Sequence, residues 1–350
     1  MKIAALLSGG VDSSVALRLA QEKGAQEVTA FYLKIWLEDE LQYLGNCPWE
    51  DDLEYARAVC EQAGVELRIV PLQEQYYNKV VEHTISELKA GRTPSPDILC
   101  NQRIKFGAFL DYIDEGYDKI VSGHYAQVEE RNGQYWLMRS PDAVKDQTYF
   151  LSYLSQAQLR RIWFPVGAYK KAQVRDLAKK YDLPNKERKD SQGICFLGKI
   201  KYPEFVKFHL GEKKGDIVDL NTNKVLGQHD GFWFHTIGQR QGLGLSGGPW
   251  FVVKKDTAAN KIYVVHKSQY KVRARNTFSV RGLNWIPQAP TKMELKTKLR
   301  HGPHLESCNI ELKEDNRMAV ELANEDQGIA PGQYAIFYDG VYCLGGGIIE

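Results

Sequence analysis

The chain has 350 residues, 43% of them apolar and 11% aromatic. That is enough to bury two or three cores and too much for a disordered chain. No window carries the roughly 20 consecutive apolar residues of a membrane helix, and the apolar run after Met1 is too short for a signal-peptide core, so a cytoplasmic protein with no membrane contact is expected. A formal net charge of +2 excludes a uniformly basic coat but allows a local basic surface. Six scattered cysteines, at 47, 60, 100, 195, 308 and 343, are expected as mostly reduced thiols rather than a disulfide framework.

In chain order, a β-branched and apolar run from Lys2 to Leu7 leads through Ser8-Gly9-Gly10-Val11-Asp12-Ser13-Ser14 into a helix beginning near Val15. Paired glycines let the backbone approach an anion, the first turn of a helix points free N–H groups outward, and three serines add hydroxyls. The stretch therefore reads as a phosphate site, although it has neither the Gly-Lys-Ser/Thr ending of a P-loop nor Gly-x-Gly-x-x-Gly; the alternative is a glycine turn before a helix with Asp12 or Ser13 as its N-cap. Further strands are predicted at Val28 to Lys34, Glu66 to Val70 and Lys119 to Ser122, with a helix over Asp51 to Ala63 closed by Gly64. This alternation predicts a Rossmann-like α/β domain with a parallel sheet. Ligands bind such sheets at the carboxyl ends of the strands, where Leu33 and Gly123 also lie. The insertion Glu38 to Trp49 specifies no chemistry by itself.

In Gly91-Arg92-Thr93-Pro94-Ser95-Pro96-Asp97-Ile98-Leu99-Cys100-Asn101, two prolines hold Thr93 to Pro96 extended. Asp97 and Cys100 are expected on a loop entering a helix over about Arg103 to Ile113. A thiol near a helix start, followed by Arg103 and Lys105, is placed for thiolate formation; the alternative is a cysteine packed as a small apolar residue. Asn132-Gly133 signals a hairpin. Lys145-Asp146-Gln147 suits phosphate or base contacts, or the capped start of a helix. Lys170 to Lys189 holds eight Lys or Arg against three acids, with a helix over Ala172 to Tyr181, and Lys271 to His301 holds eight against Glu294 alone. Either stretch singly reads as a solvated face, but together they favour a polyanion. After about Tyr202 the pattern changes to short strands, at Asp219 to Gly227, Tyr263 to His266, Leu295 to Leu299 and a hairpin Phe337 to Tyr342. Two smaller β-rich domains are expected, the last barrel-like, giving units 1–204, 205–274 and 275–350. Gly242-Leu243-Gly244-Leu245-Ser246-Gly247 matches a dinucleotide motif literally, but no helix pattern follows and Pro249 comes two residues later, so that site is rejected. The polar loop before it, His235 to Gln241, is placed to meet a nucleic acid.

The loop at Ser8 resembles the pyrophosphate-binding loop of the ATP pyrophosphatase superfamily, which cleaves ATP between its α and β phosphates. Together with Pro96-Asp97-Ile98-Leu99-Cys100-Asn101, Gly123-His124-Tyr125, Lys145-Asp146-Gln147, Asp190-Ser191-Gln192-Gly193-Ile194-Cys195-Phe196, His235-Thr236-Ile237-Gly238-Gln239-Arg240 and the end Cys343-Leu344-Gly345-Gly346-Gly347, nearly the whole chain resembles the tRNA-specific 2-thiouridylases. These enzymes replace oxygen by sulfur at C2 of the anticodon wobble uridine. The resemblance implies ATP, bound by Leu6, Leu7, Ser8, Gly9, Gly10, Val11, Asp12, Ser13, Leu33 and Gly123. Ser95, Pro96 and Asp97 would meet the target base, and His124, Lys145, Asp146, Gln147, Arg300, His301 and Gln333 would touch tRNA. Cys195 would carry a persulfide, with Cys100 as partner nucleophile. The implied partners are the tRNAs for Lys, Glu and Gln, and a cysteine desulfurase or sulfur-relay protein as donor. The chain departs from the family pattern at Ser95 (usually Asn), Leu33 (usually Met) and His301 (usually Tyr).

Chemistry adds two expectations: Mg²⁺ with the ATP phosphates, and Asp97 as general acid or base near the uracil. Two rival functions stay open, a small-molecule adenylating ligase and a non-catalytic RNA-binding protein. A mechanistic variant places an iron–sulfur cluster on Asp97, Cys100 and Cys195.

Overall fold

A computed structural model describes residues 1–35, 48–113, 115–190, 201–270 and 275–350. The N-terminal strands are β1 (Lys2–Leu6), β2 (Glu27–Lys34), β3 (Glu66–Pro71), β4 (Lys119–Val121), the hairpin β5 (Ala126–Arg131) and β6 (Gln134–Arg139), and β7 (Ile162–Trp163). Five of them form one parallel sheet in the order β3-β2-β1-β4-β7. β1 is central and covered on both faces: Ile3 and Ala5 enter one core, Ala4 and Leu6 the other. Its unbroken apolar run follows from that two-sided burial. Helices α1 (Val11–Glu22) and α2 (Pro48–Ala63) pack on the first face, where Val11, Val15 and Leu19 meet Leu53, Ala56 and Val59. The chain leaves β1 toward β2 on one side, whereas β4 lies on the other, so the strand order reverses beside β1 and opens a crevice at its carboxyl end.

The predicted strands match to within a residue or two at their ends. Asn132 and Gly133, at φ +52° and +76°, make the expected hairpin turn. Two predicted elements were different. Asp219 to Gly227 is the turn between β8 (Gly215–Asp219) and β9 (Val225–His229), closed by Asp219, whose carboxylate accepts from Asn221 N at 3.0 Å and Thr222 Oγ1 at 2.8 Å. The helix expected from Arg103 begins at Pro96 and runs without a break to Tyr112, because proline at a first helical position gives up only an N–H that would be unpaired there.

The middle sheet has the order β10-β11-β8-β9, with β10 at Trp250–Asp256 and β11 at Lys261–His266. Gly242 to Gly247 precedes β10 without a helix after it, as expected. The last unit contains β12 (Arg275–Trp285), β13 (Glu294–Lys298), β14 (Glu306–Lys313), β15 (Arg317–Asp326), β16 (Tyr334–Asp339) and β17 (Tyr342–Ile349). β12 pairs with both β15 and β17, closing these six strands into a barrel. No helix of the described residues is long and apolar enough to cross a membrane.

The barrel is joined to the first unit through β17, which also pairs with β6, and through a buried ion pair. Lys298 Nζ lies 2.9 Å from Asp146 Oδ2, and both side chains are 0% exposed. Arg139 Nε at 3.2 Å and Thr148 Oγ1 at 2.8 Å complete the carboxylate's shell. Removing one partner of a buried pair strands the other charge, so Lys298→Ala is expected to destabilise the chain by about 3–5 kcal/mol in denaturant unfolding. Lys298→Met combined with Asp146→Leu should recover much of that loss, and a single variant as stable as wild type would remove the pair's structural role.

Candidate functional site

The loop after β1 owes its shape to close backbone approaches. Gly9 has φ +71°, and a Cβ there would lie 2.2 Å from the Asp52 carbonyl oxygen of α2. Ser13 Oγ donates to Gly10 O at 2.9 Å and accepts from Ser8 N at 3.2 Å, while Ser14 Oγ donates to Gly10 O at 3.0 Å. Gly123, just past β4, lies so close to the start of α1 that a Cβ would meet Ser13 N at 2.6 Å. The ends of β1 and β4 thus enclose the first turn of α1, and Leu33 lies one residue before the end of β2, the strand next to β1. All ten residues expected to hold ATP lie at this end of the sheet, on β1 and β2, the loops that follow β1 and β4, and the first turn of α1.

Several residues of this site carry no sequence signal. Buried Asn185 donates to Gly9 O at 2.8 Å and to Ser14 Oγ at 2.9 Å, and Arg188 reaches Gly9 O at 3.1 Å while pairing with Asp52. Lys171 Nζ lies 2.7 and 2.9 Å from the two Asp12 oxygens and 2.7 Å from Asp190 Oδ1. Tyr125 OH donates to Asp12 Oδ1 at 2.8 Å; burial, and then the charge of Asp12, raise its pKa and keep it a donor. Asp190 also meets Lys145 Nζ at 2.7 Å and Arg175 at 2.6 Å. Burial alone would raise its pKa, but the contacts to Lys145 and Lys171 override that and hold it at about 2. The first basic stretch is therefore partly inward: helix α3 (Lys171–Lys180) and the turn after it direct Lys171, Arg175 and Arg188 onto the loop and its acids, while Lys170, Lys179, Lys180 and Lys189 are exposed.

Asp97 and Cys100 stand three residues apart near the start of one continuous helix, hence on one face. Cys100 lies one turn inside it rather than on a loop and is 2% exposed. The loop leading to it is held by both other units, since Thr93 N donates to Pro331 O at 2.8 Å and Thr93 Oγ1 lies 3.4 Å from Thr236 Oγ1. Thr93, two residues before Ser95, is thereby held against the turn that carries Gln333. Cys195 and the motif around it lie outside the described residues, as does Cys47. Cys60, Cys308 and Cys343 are buried, and burial pushes their thiols up to about 11, 12 and 12, so they pack as apolar residues.

Of the residues expected at tRNA, Asp146 turns its side chain inward: the buried carboxylate is engaged by Lys298, Arg139 and Thr148 and faces no solvent. Gln147 Oε1 accepts from Tyr125 N at 2.9 Å, tying its segment to the end of β4. His124 packs against Phe106 and Phe164, with Nδ1 2.8 Å from Ser122 Oγ. Desolvation holds its pKa well below the ordinary value, so it offers hydrogen bonds rather than charge. Arg300 is exposed but paired with Asp326 at 2.6 Å, and His301 stacks on Phe150 with ring centroids 4.7 Å apart.

Residues 1–199 match the family model for the tRNA methyl transferase HUP domain, residues 203–266 that for the tRNA methyl transferase PRC-barrel domain, and residues 275–349 that for the Aminomethyltransferase beta-barrel domain. The chain is 44% identical to the tRNA-specific 2-thiouridylase MnmA of Parabacteroides distasonis, over 100% of this chain and 99% of the relative. It is 43% identical to the tRNA-specific 2-thiouridylase MnmA 1 of Bacteroides thetaiotaomicron and 41% identical to the tRNA-specific 2-thiouridylase MnmA of Porphyromonas gingivalis, each over 100% of this chain and 99% of the relative.

Proposed function

Because the chain belongs to the tRNA-specific 2-thiouridylase family, and is thus a tRNA sulfurtransferase, we propose that it thiolates C2 of the wobble uridine, U34, by adenylating O2 with ATP and delivering sulfur from a Cys195 persulfide. The substrates would be the tRNAs for Lys, Glu and Gln, with a cysteine desulfurase or sulfur-relay protein loading Cys195. Units 1–204, 205–274 and 275–350 would serve as catalytic domain, connector and tRNA-binding barrel.

A uracil oxygen is a poor leaving group and must be activated. Its O2 attacks the α-phosphorus, the bond to pyrophosphate breaks, and an O2-adenylated base results. Backbone N–H groups at Gly9 and Gly10, with Lys171, offset the charge that develops on pyrophosphate. Asp12 is the loop's carboxylate, an oxygen donor of the type Mg²⁺ takes, and Mg²⁺ bound there would supply further charge neutralisation. The terminal sulfur of the persulfide then attacks C2 and AMP leaves. The Cys100 thiolate attacks Sγ of Cys195, breaking the S–S bond to the base; this supplies the two electrons that leave thiouridine and a Cys100–Cys195 disulfide, which a cellular thiol reopens. Asp97, on the Cys100 face, would exchange protons with the base. The target base must leave its stack to reach this pocket. The iron–sulfur variant turns on Cys195, which lies outside the described residues, and no step here is routed through a cluster.

One observation carries this reading. Asp12 of the nucleotide loop is joined through Lys171 to Asp190, five residues ahead of Cys195, and Asp190 holds Lys145, a residue expected at tRNA. Purified chain, unmodified tRNA, Mg-ATP and a persulfide donor should yield 2-thiouridine in nucleoside digests, with pyrophosphate released only when tRNA is present. Thiolation without ATP would overturn the adenylation step. Pyrophosphate release on a small carboxylate or carbonyl substrate without tRNA would favour the ligase. A methylated uridine would favour the chemistry named in the family models.

A further inference from the structure

A cleft of about 490 Å³ lies where the three units meet, walled by Gly91 from the first, Lys254 and Lys255 from the second, and Arg275, Asp326 and Pro331 from the barrel. Most cations of the two basic stretches are spent on internal acids or hydroxyls, as Lys171, Arg175, Arg188, Lys292, Lys296, Lys298 and Arg300 show. The three in this cleft, Arg275 of the second stretch with Lys254 and Lys255 from outside both, differ. Lys255 Nζ donates to the His235 carbonyl at 3.0 Å, Arg275 Nη2 to the Ile329 carbonyl at 3.3 Å, and Lys254 sits over the Tyr263 ring at 5.3 Å. Among the described residues none of the three has a carboxylate within ion-pairing distance. Asp326 is Arg275's partner across the β12–β15 pair, yet its oxygens go to Arg300 and Gly328 N. Lys255 is half-buried, and desolvation lowers its pKa to about 8. A cation held partly out of water without a counter-charge costs free energy unless an anion completes the site.

Resting on the thiolation reading, we propose that this cleft seats a backbone phosphate of the bound tRNA. A polymer's phosphate fits better than a small anion. The cations come from two units, two of them are flexible lysine point charges, and no glycine-rich turn or helix start is there to wrap a free phosphate. The position also suits a tRNA site: Gly91 and Pro331 flank the Thr93–Pro331 hydrogen bond that holds the loop bearing Ser95 to Asp97. A phosphate drawn into the cleft pulls the three units onto that loop, so backbone binding helps to set the base pocket.

The test uses the full chain with Lys255→Gln, Arg275→Gln and the double variant, with unmodified tRNA titrated over about 50–200 mM KCl. Each loss should make the slope of log affinity against log salt shallower by about 1, additively in the double variant. Lys255→Arg should keep the wild-type slope, and ATP affinity should not change. Wild-type slopes in all three variants, with unchanged unfolding midpoints, overturn the proposal. So does weakened ATP binding with an unchanged tRNA slope, which would make the cleft a nucleotide site. Should Lys255→Gln unfold, Arg275→Gln decides alone, because Arg275 is exposed. Wild-type chain that does not bind tRNA at all overturns the thiolation reading first, and this assignment with it.

Discussion

Gly123→Ala is expected to lower tRNA-dependent pyrophosphate release by about 10²-fold or more, the scale of a misplacement of about 1 Å at a reacting centre. The new Cβ would meet Ser13 N at 2.6 Å, Asp12 C at 2.7 Å and Ser13 Cα at 2.9 Å. All three are backbone atoms of the first turn of α1, so no side chain can swing aside and the turn itself must retreat. That turn carries the N–H groups meant for the phosphates, together with Asp12, which anchors Lys171. Pyrophosphate release measured alongside tRNA affinity separates this from general damage: release should collapse while tRNA affinity stays within about 2-fold, because the phosphate contacts proposed for tRNA lie elsewhere. An alanine variant that releases pyrophosphate at the wild-type rate would show that the turn by Ser13 does not hold ATP. Gly9→Ala should behave alike and also unfold more readily, since its φ of +71° adds backbone strain.

Cys100→Ser and Cys195→Ser should each bring 2-thiouridine to background, a loss of about 10³-fold or more, while pyrophosphate release continues. Activation of O2 requires no thiol, whereas serine neither carries a persulfide nor closes a disulfide. Cys100 is 2% exposed, so the sulfur chemistry proposed for it would take place inside the protein and not with reagents in bulk solvent. At Cys60, Cys308 and Cys343, thiols pushed up to about 11 or 12 hold almost no thiolate near neutrality. Replacing each of these three by alanine should cost stability through the lost packing but leave thiolation intact. If neither Cys100→Ser nor Cys195→Ser lowers thiouridine, the proposed sulfur path fails. If both also stop pyrophosphate release, the thiols act before or during activation, and the order of steps proposed above is wrong.

Features that depend on near neighbours were legible in the sequence. The strand, glycine pair and helix start that make the nucleotide loop lie within twenty residues, and the Asn132-Gly133 turn and the Gly64 helix stop follow from local backbone rules. The alternation that identifies a parallel sheet is likewise a matter of period and order along the chain. Charge was not legible in this way. Lys171, Arg188 and Lys298 look like any other basic residues until folding sets them beside Asp12, Asp52 and Asp146, partners 159, 136 and 152 positions away. Asp146 stands in a motif that resembles a tRNA contact, yet it is a buried strut between two units. The helix start at Pro96 needed only the recognition that proline is at home in a first turn, but the clamp on the loop before it joins Thr93 to Pro331 and Thr236. Periodicity and motif spacing report what a segment does with its neighbours in sequence. Which cations are spent, which acids are buried and which loops are held are decided by contacts between distant segments, and those come into being only when the chain folds and its units pack together.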